Sequence, residues 1–133
     1  MKKGINRREG KITGIVRQRA EPEPLYPVFC FTYLHKDYHL DNCTDDEKKQ
    51  LIEQIVKISS MTWEQLQRSP KHGIGSEKIE LNALKANIPP SFGKDVSHLL
   101  AFRFDGKKPF VGCRDKSVFH ILFIDRAFTL YDH

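Results

Sequence analysis

The chain has 133 residues, 39% of them hydrophobic, with nine Phe, four Tyr, one Trp and a formal net charge of +5. That is one domain's worth of chain with enough apolar side chains for a core, which excludes a largely disordered protein and leaves little room for a second domain. No apolar run approaches the roughly 18 residues of a membrane span and no signal-peptide pattern opens the chain, so a cytoplasmic protein without membrane contact is expected.

The charge is unevenly spread. Residues 1–19 hold seven basic side chains (Lys2, Lys3, Arg7, Arg8, Lys11, Arg17, Arg19) against Glu9, while the remainder is close to neutral. Residues 1–26 therefore read as a basic, partly disordered arm closing in the proline-rich Glu21-Pro22-Glu23-Pro24 linker, and residues 27–133 as one domain. Such an arm suits phosphates or an acidic partner, with Arg7 and Arg8 as candidate RNA contacts. It serves equally well as a solvated tail.

Along the domain, Val28 to Tyr33 is β-branched or aromatic and reads as a strand. Thr44-x-x-Glu47 is a capping box that opens an amphipathic helix carrying Leu51, Ile52, Ile55 and Ile58, to about Ser59. Thr62-x-x-Gln65 opens a short second helix that stops before Pro70. Ser76-Glu77 is expected to start a third, with Ile79, Leu81 and Leu84 as its contacts and Pro89-Pro90 beyond its end. Four strands follow: His98 to Phe104, Pro109 to Cys113, Val118 to Ile124 and Phe128 to Tyr131. Asp105-Gly106 marks the first hairpin, and Val118 to Ile124, apolar on both faces, is expected at the sheet's centre. The expected class is α+β: an N-terminal strand, two or three helices, then a four-stranded antiparallel sheet.

Tight turns at Asp105-Gly106, Asp115-Lys116 and Asp125-Arg126 would set Leu100, Val111, His120 and Tyr131 in one cross-strand row. In that register His120, Tyr131 and His133 converge, while Arg103, Lys108 and Phe110 occupy the opposite face. Two imidazoles and a phenol suit acid–base chemistry near neutral pH, and an arginine suits the charge of a phosphorane. The plain alternatives are a core histidine at 120 and a frayed terminus. In Pro70-Lys71-His72-Gly73-Ile74-Gly75-Ser76, glycines beside basic groups can meet a phosphate, although the spacing of a nucleotide-binding loop is missing. Lys71 and His72, with Arg114 in a later turn, are thus candidate RNA contacts. Cys30, His35, His39 and Cys43 match no common zinc spacing, so neither a metal site nor a cofactor is expected. With Cys113 they make three cysteines in all, too few and too scattered for a disulfide framework.

Gly73-Ile74-Gly75-Ser76-Glu77, the strand ending Arg103-Phe104 and the terminal Tyr131-Asp132-His133 together resemble the RelE/ParE-like toxins of bacterial toxin–antitoxin pairs. In its ribonuclease members a C-terminal histidine or tyrosine works with a sheet arginine and a charged residue near the preceding loop. The resemblance implies those roles for His133 or Tyr131, for Arg103, and for Glu77 or Lys71. It further implies metal-independent cleavage of mRNA, possible association with the ribosome, and an antitoxin partner. A non-catalytic module that binds nucleic acid or protein is the other reading, with the arm making the phosphate contacts.

Overall fold

The structure, a computed structural model, describes residues 25–69 and 74–133. The basic arm with Arg7 and Arg8, and the pair Lys71 and His72, lie outside those residues. Val28–Cys30 forms β1, Asp45–Ser59 forms α1 and Trp63–Arg68 forms α2. Glu77–Glu80 is β2, His98–Asp105 β3, Lys108–Asp115 β4 and Val118–Ile124 β5. They make one five-stranded mixed sheet in the order β1-β5-β4-β3-β2, with β1 parallel to β5 and the other pairs antiparallel. The α+β class is as expected, but the sheet differs from a four-stranded antiparallel one.

Both helices start where their capping boxes place them. The Glu47 amide donates to Thr44 Oγ1 at 3.1 Å while Glu47 Oε1 accepts from the Thr44 amide at 2.8 Å. Thr62 and Gln65 repeat the exchange at 3.1 and 2.9 Å. Leu51 and Ile58 of α1, with Trp63 and Leu66 of α2, pack onto Phe102, Phe104, Phe110, Phe119, Ile121 and Ile124 of one sheet face. The other face carries Leu99, Ala101, Val111, Leu122 and Phe123, and no α-helix among the described residues covers it. Its cover is irregular chain: short 3-10 turns at Leu81–Ala83 and Pro90–Asp95, plus the C-terminal Leu130 and Tyr131. With both faces covered, β5 is apolar on both sides and is an interior strand between the edge strand β1 and β4, which is itself the middle strand of the five.

Two expected elements are replaced. Glu77–Glu80 is an edge strand, because Ile79 alone of its four residues is buried, which is the period of a strand and not of a helix. Phe128 to Tyr131 is a turn. Asp125 accepts hydrogen bonds from the amides of Thr129 (2.9 Å) and Leu130 (3.0 Å), so these amides serve the carboxylate and not a ladder. Phe128 adopts a left-handed φ of 59°, which interrupts extended chain.

The register also shifts. Leu100 faces Gly112 and His120 faces Cys113, with irregularities between Arg103 and Asp105 and between Val111 and Gly112. At the second irregularity Val111 pairs with Phe123 and Gly112 with Ile121, leaving Leu122 as an extra residue on β5. Gly112 permits this close approach, since a Cβ there would run into the His120 carbonyl. In consequence Arg103 lies on the Tyr131 face, not the face opposite it.

A buried carboxylate joins the layers. Glu47, 3% exposed, accepts from Lys108 Nζ at 2.8 Å and from Arg126 Nε at 2.8 Å as well as from Thr44. The Arg126 hydrogen bond, ahead of those from Lys108 and Thr44, holds the Glu47 carboxyl down at about 2 from its ordinary 4.5 despite burial. A depressed carboxylate stabilises the fold above its unfolded value and loses that contribution as pH falls towards its folded value. Wild-type stability should therefore fall between about pH 4.5 and 2. Glu47→Gln is expected to lose about 1–3 kcal/mol at pH 7 in urea denaturation and to flatten that fall. An unchanged acid limb in the variant would remove Glu47 from this role.

Candidate functional site

On the helix-free face, β2 and β3 bring Glu77 and Arg103 together. Arg103 Nη2 donates to Glu77 Oε1 at 2.6 Å and Nη1 donates to the Tyr131 hydroxyl at 3.1 Å. The guanidinium is thus held at both ends by groups from a neighbouring strand and from the C-terminal segment. Its side chain and that of Glu77 are 29% and 35% exposed, so the pair is accessible but not freely solvated. Ion pairing of this partly screened kind fixes orientation more than it adds stability.

Tyr131 reaches this position because Asp125, 1% exposed, organises the chain before it, and because the Leu130 carbonyl accepts from the Lys85 amide at 2.7 Å. Lys85 Nζ adds an exposed ion pair to Asp132 at 2.7 Å, and each partner's titration moves towards its charged form. Beyond Tyr131, the His133 ring lies against the phenol with centroids 4.3 Å apart and meets Phe128 edge-on at 5.1 Å. His133 Nε2 is 3.8 Å from Asp125 Oδ2, an ion pair whenever the imidazole is protonated. Burial pushes the Tyr131 phenol above the ordinary tyrosine value, and the hydrogen bond from Arg103 offsets this only in part. Tyr131 is consequently a neutral phenol at physiological pH. Its oxygen already accepts from Arg103, so its own proton is available for donation.

Glu77, Arg103, Tyr131, His133 and Asp125 therefore form one connected constellation: a cation held by Glu77, a phenol bonded to that cation, and an imidazole beside Asp125. His120 does not join it. The His120 ring packs against Phe92 at 5.2 Å and Tyr33 at 5.8 Å, and its buried Nδ1 has no hydrogen-bond partner. Level with Cys113 where Arg103 is level with Pro109, it stands four positions away, about 13 Å along the strand. The expected His120–Tyr131–His133 patch is thus corrected to one built on Tyr131, His133 and Arg103. The two-residue loops fall at Gly106-Lys107 and Lys116-Ser117, which moves His120 by two rows.

Arg114 lies apart as well. Its guanidinium is 4.4 Å above the Trp63 ring, at the end of β4 remote from Arg103. Glu77 and Asp125 complete the constellation; Asp125 carried no sequence signal beyond its place in a turn. No cluster of three or more potential metal ligands occurs among the described residues, and no helix there is long and apolar enough to cross a membrane. No family model, no curated protein and no solved structure matches the chain.

The raised Tyr131 value gives a direct check on this geometry. In alkaline absorbance titration of the phenolates, Tyr131→Phe is expected to remove a step above the ordinary tyrosine range. An unaltered high-pH end would place the hydroxyl elsewhere.

Proposed function

We propose that this chain is an endoribonuclease that cuts RNA through the RNA's own 2′-hydroxyl, in the manner of RelE-like toxins, with mRNA on the ribosome as target and an antitoxin as the partner that covers the site. The observation that carries the reading is the Arg103 guanidinium bonded to the Tyr131 hydroxyl at 3.1 Å, with the His133 ring 4.3 Å from the phenol. The reaction needs a base for the 2′-hydroxyl, a proton for the departing 5′-oxygen and a cation for the phosphorane. One group of each kind is present.

In this mechanism the His133 imidazole takes the 2′-proton, since imidazole is the side chain whose charge changes near neutral pH. The imidazolium formed faces the Asp125 carboxylate at 3.8 Å, which balances the new charge. The 2′-oxygen bonds to phosphorus and the P–O5′ bond breaks, giving a 2′,3′-cyclic phosphate. Tyr131, kept protonated by burial, supplies the proton that the 5′-oxygen collects. Arg103 stabilises the added negative charge of the transition state, already oriented by Glu77 and so needing no reorganisation. Glu77 is a positioning residue. No step requires a metal ion or cofactor.

The test is end-mapped cleavage of a defined mRNA, with and without translating ribosomes and in the presence of EDTA. His133→Ala and Tyr131→Phe are expected to slow cutting by about 10²–10⁴-fold. Arg103→Ala should cost about 10²–10³-fold. A 2′-O-methyl group at the cut site should abolish cleavage there. Unchanged rates in all three variants would overturn this assignment of the site, and a folded protein that never cuts RNA would favour a non-catalytic binding module.

A further inference from the structure

The far end of the sheet holds two adjoining hollows of about 560 and 380 Å³ that share Asp95, Val96, Cys113 and Arg114 as a common wall. Arg114 is built into that wall. Its Nε donates to the Lys116 carbonyl at 2.7 Å, and the Trp63 indole Nε1 donates to the Ser117 carbonyl at 3.0 Å. One tight turn thus anchors both side chains and holds the guanidinium over the indole at 4.4 Å. With Nε committed, the terminal nitrogens of Arg114 bond to none of the described residues. Burial lowers its titration value, and none of the described residues forms an ion pair with it. An anion in the hollow would supply one, in the forked geometry guanidinium favours.

The two hollows differ in chemistry. The larger one adds Lys78, His98, Ser76 and Ser97 to Arg114, a cationic and hydroxyl-rich lining against the single acid Asp95. The smaller adds Tyr33, Phe92 and His120, whose ring centroids lie 5.0–5.8 Å apart, with the acceptors Asp95 and Asp115. Its aromatic faces suit a base, and its carboxylates suit exocyclic amino groups. The His120 ring forms part of this second wall, while its buried Nδ1 has no hydrogen-bond partner.

We propose that this end of the sheet is a second RNA subsite, taking the phosphate of one nucleotide on Arg114 and Lys78 and its amino-bearing base against the ring cluster of Tyr33, Phe92 and His120. Five positions along β4 from the level of Arg103, about 17 Å, the subsite holds RNA away from the scissile bond. It selects and aligns the strand without taking part in the cut. The identity of the ligand as RNA rests on the ribonuclease reading; the anion-and-ring chemistry does not.

Trp63 is the chain's one tryptophan, so its fluorescence reports directly on the hollow. The full-length protein is titrated with inorganic phosphate, with AMP, CMP and UMP, and with a 2′-O-methyl hexanucleotide that lacks the cleavage nucleophile. Saturable fluorescence change is expected with AMP and CMP in preference to UMP, and more tightly with the hexanucleotide; response to mononucleotides alone would limit the site to free nucleotides and overturn the RNA assignment. Arg114→Gln should weaken hexanucleotide binding by about tenfold or more. Lys78→Ala, at an exposed position that does not threaten folding, should weaken it several-fold, and Lys49→Ala, on the exposed side of α1 away from both sites, should leave it unchanged. In cleavage assays Arg114→Gln should raise KM and spare kcat, so failure here is distinguishable from failure of the catalytic assignment, where His133→Ala retains kcat. Absence of any saturable response, equal binding by Arg114→Gln and Lys78→Ala, or preference for an acidic peptide would each overturn the proposal.

Discussion

Two consecutive residues at the end of β5 decide how the rest of the molecule is joined. Asp125 turns to the helix-free side and binds the amides of Thr129 and Leu130, while Arg126 turns to the helix side and binds Glu47. Glu47 in turn holds the start of α1 and, through Lys108, the start of β4. Both carboxylates are almost fully buried, and each is saturated by hydrogen bonds, the condition under which buried charge is tolerated. Remove the corner and the helix layer and the C-terminal segment lose their common anchor.

The asymmetry of the two sheet faces follows from this. The helix face is a ring-rich core, with Phe102, Phe110 and Phe119 in mutual contact and fully buried. The other face is covered by turns and a chain end, whose side chains are anchored by a few specific bonds. Irregular cover leaves polar groups near the surface yet fixed, which is the combination a preorganised site needs. Arg103 shows it best: a strand holds its backbone, and Glu77 and Tyr131 hold its two terminal nitrogens.

Local signals in the sequence place elements where the physics is local. The capping boxes at Thr44 and Thr62 place both helices, and the doubly apolar Val118–Ile124 lies inside the sheet, between β1 and β4. Non-local effects were not legible. Glu77–Glu80 reads as a helix start because Ser76 looks like a cap, and only its pairing with β3 makes it a strand. The C-terminal turn depends on a buried aspartate whose partners lie four and five residues ahead. The face of Arg103 depends on where each hairpin loop falls and on one irregularity, because a shift of one residue inverts every side chain. Tyr131, His133, Arg103 and Glu77 were therefore identifiable as residue types near a sheet, while their meeting was not. His120 was grouped with them by a register that the loops do not adopt.

The chemistry of the cut ends tests the assigned catalytic role most directly. A defined RNA is incubated with the purified 133-residue chain, and the termini of any fragments are identified by mass spectrometry. Attack by the 2′-hydroxyl leaves a 2′,3′-cyclic phosphate on the upstream fragment and a 5′-hydroxyl on the downstream one, and that is the expected pair. Fragments carrying a 3′-hydroxyl and a 5′-phosphate would mean that water attacked phosphorus from the other side, and a site built from His133, Tyr131 and Arg103 for the 2′-oxygen would be wrong.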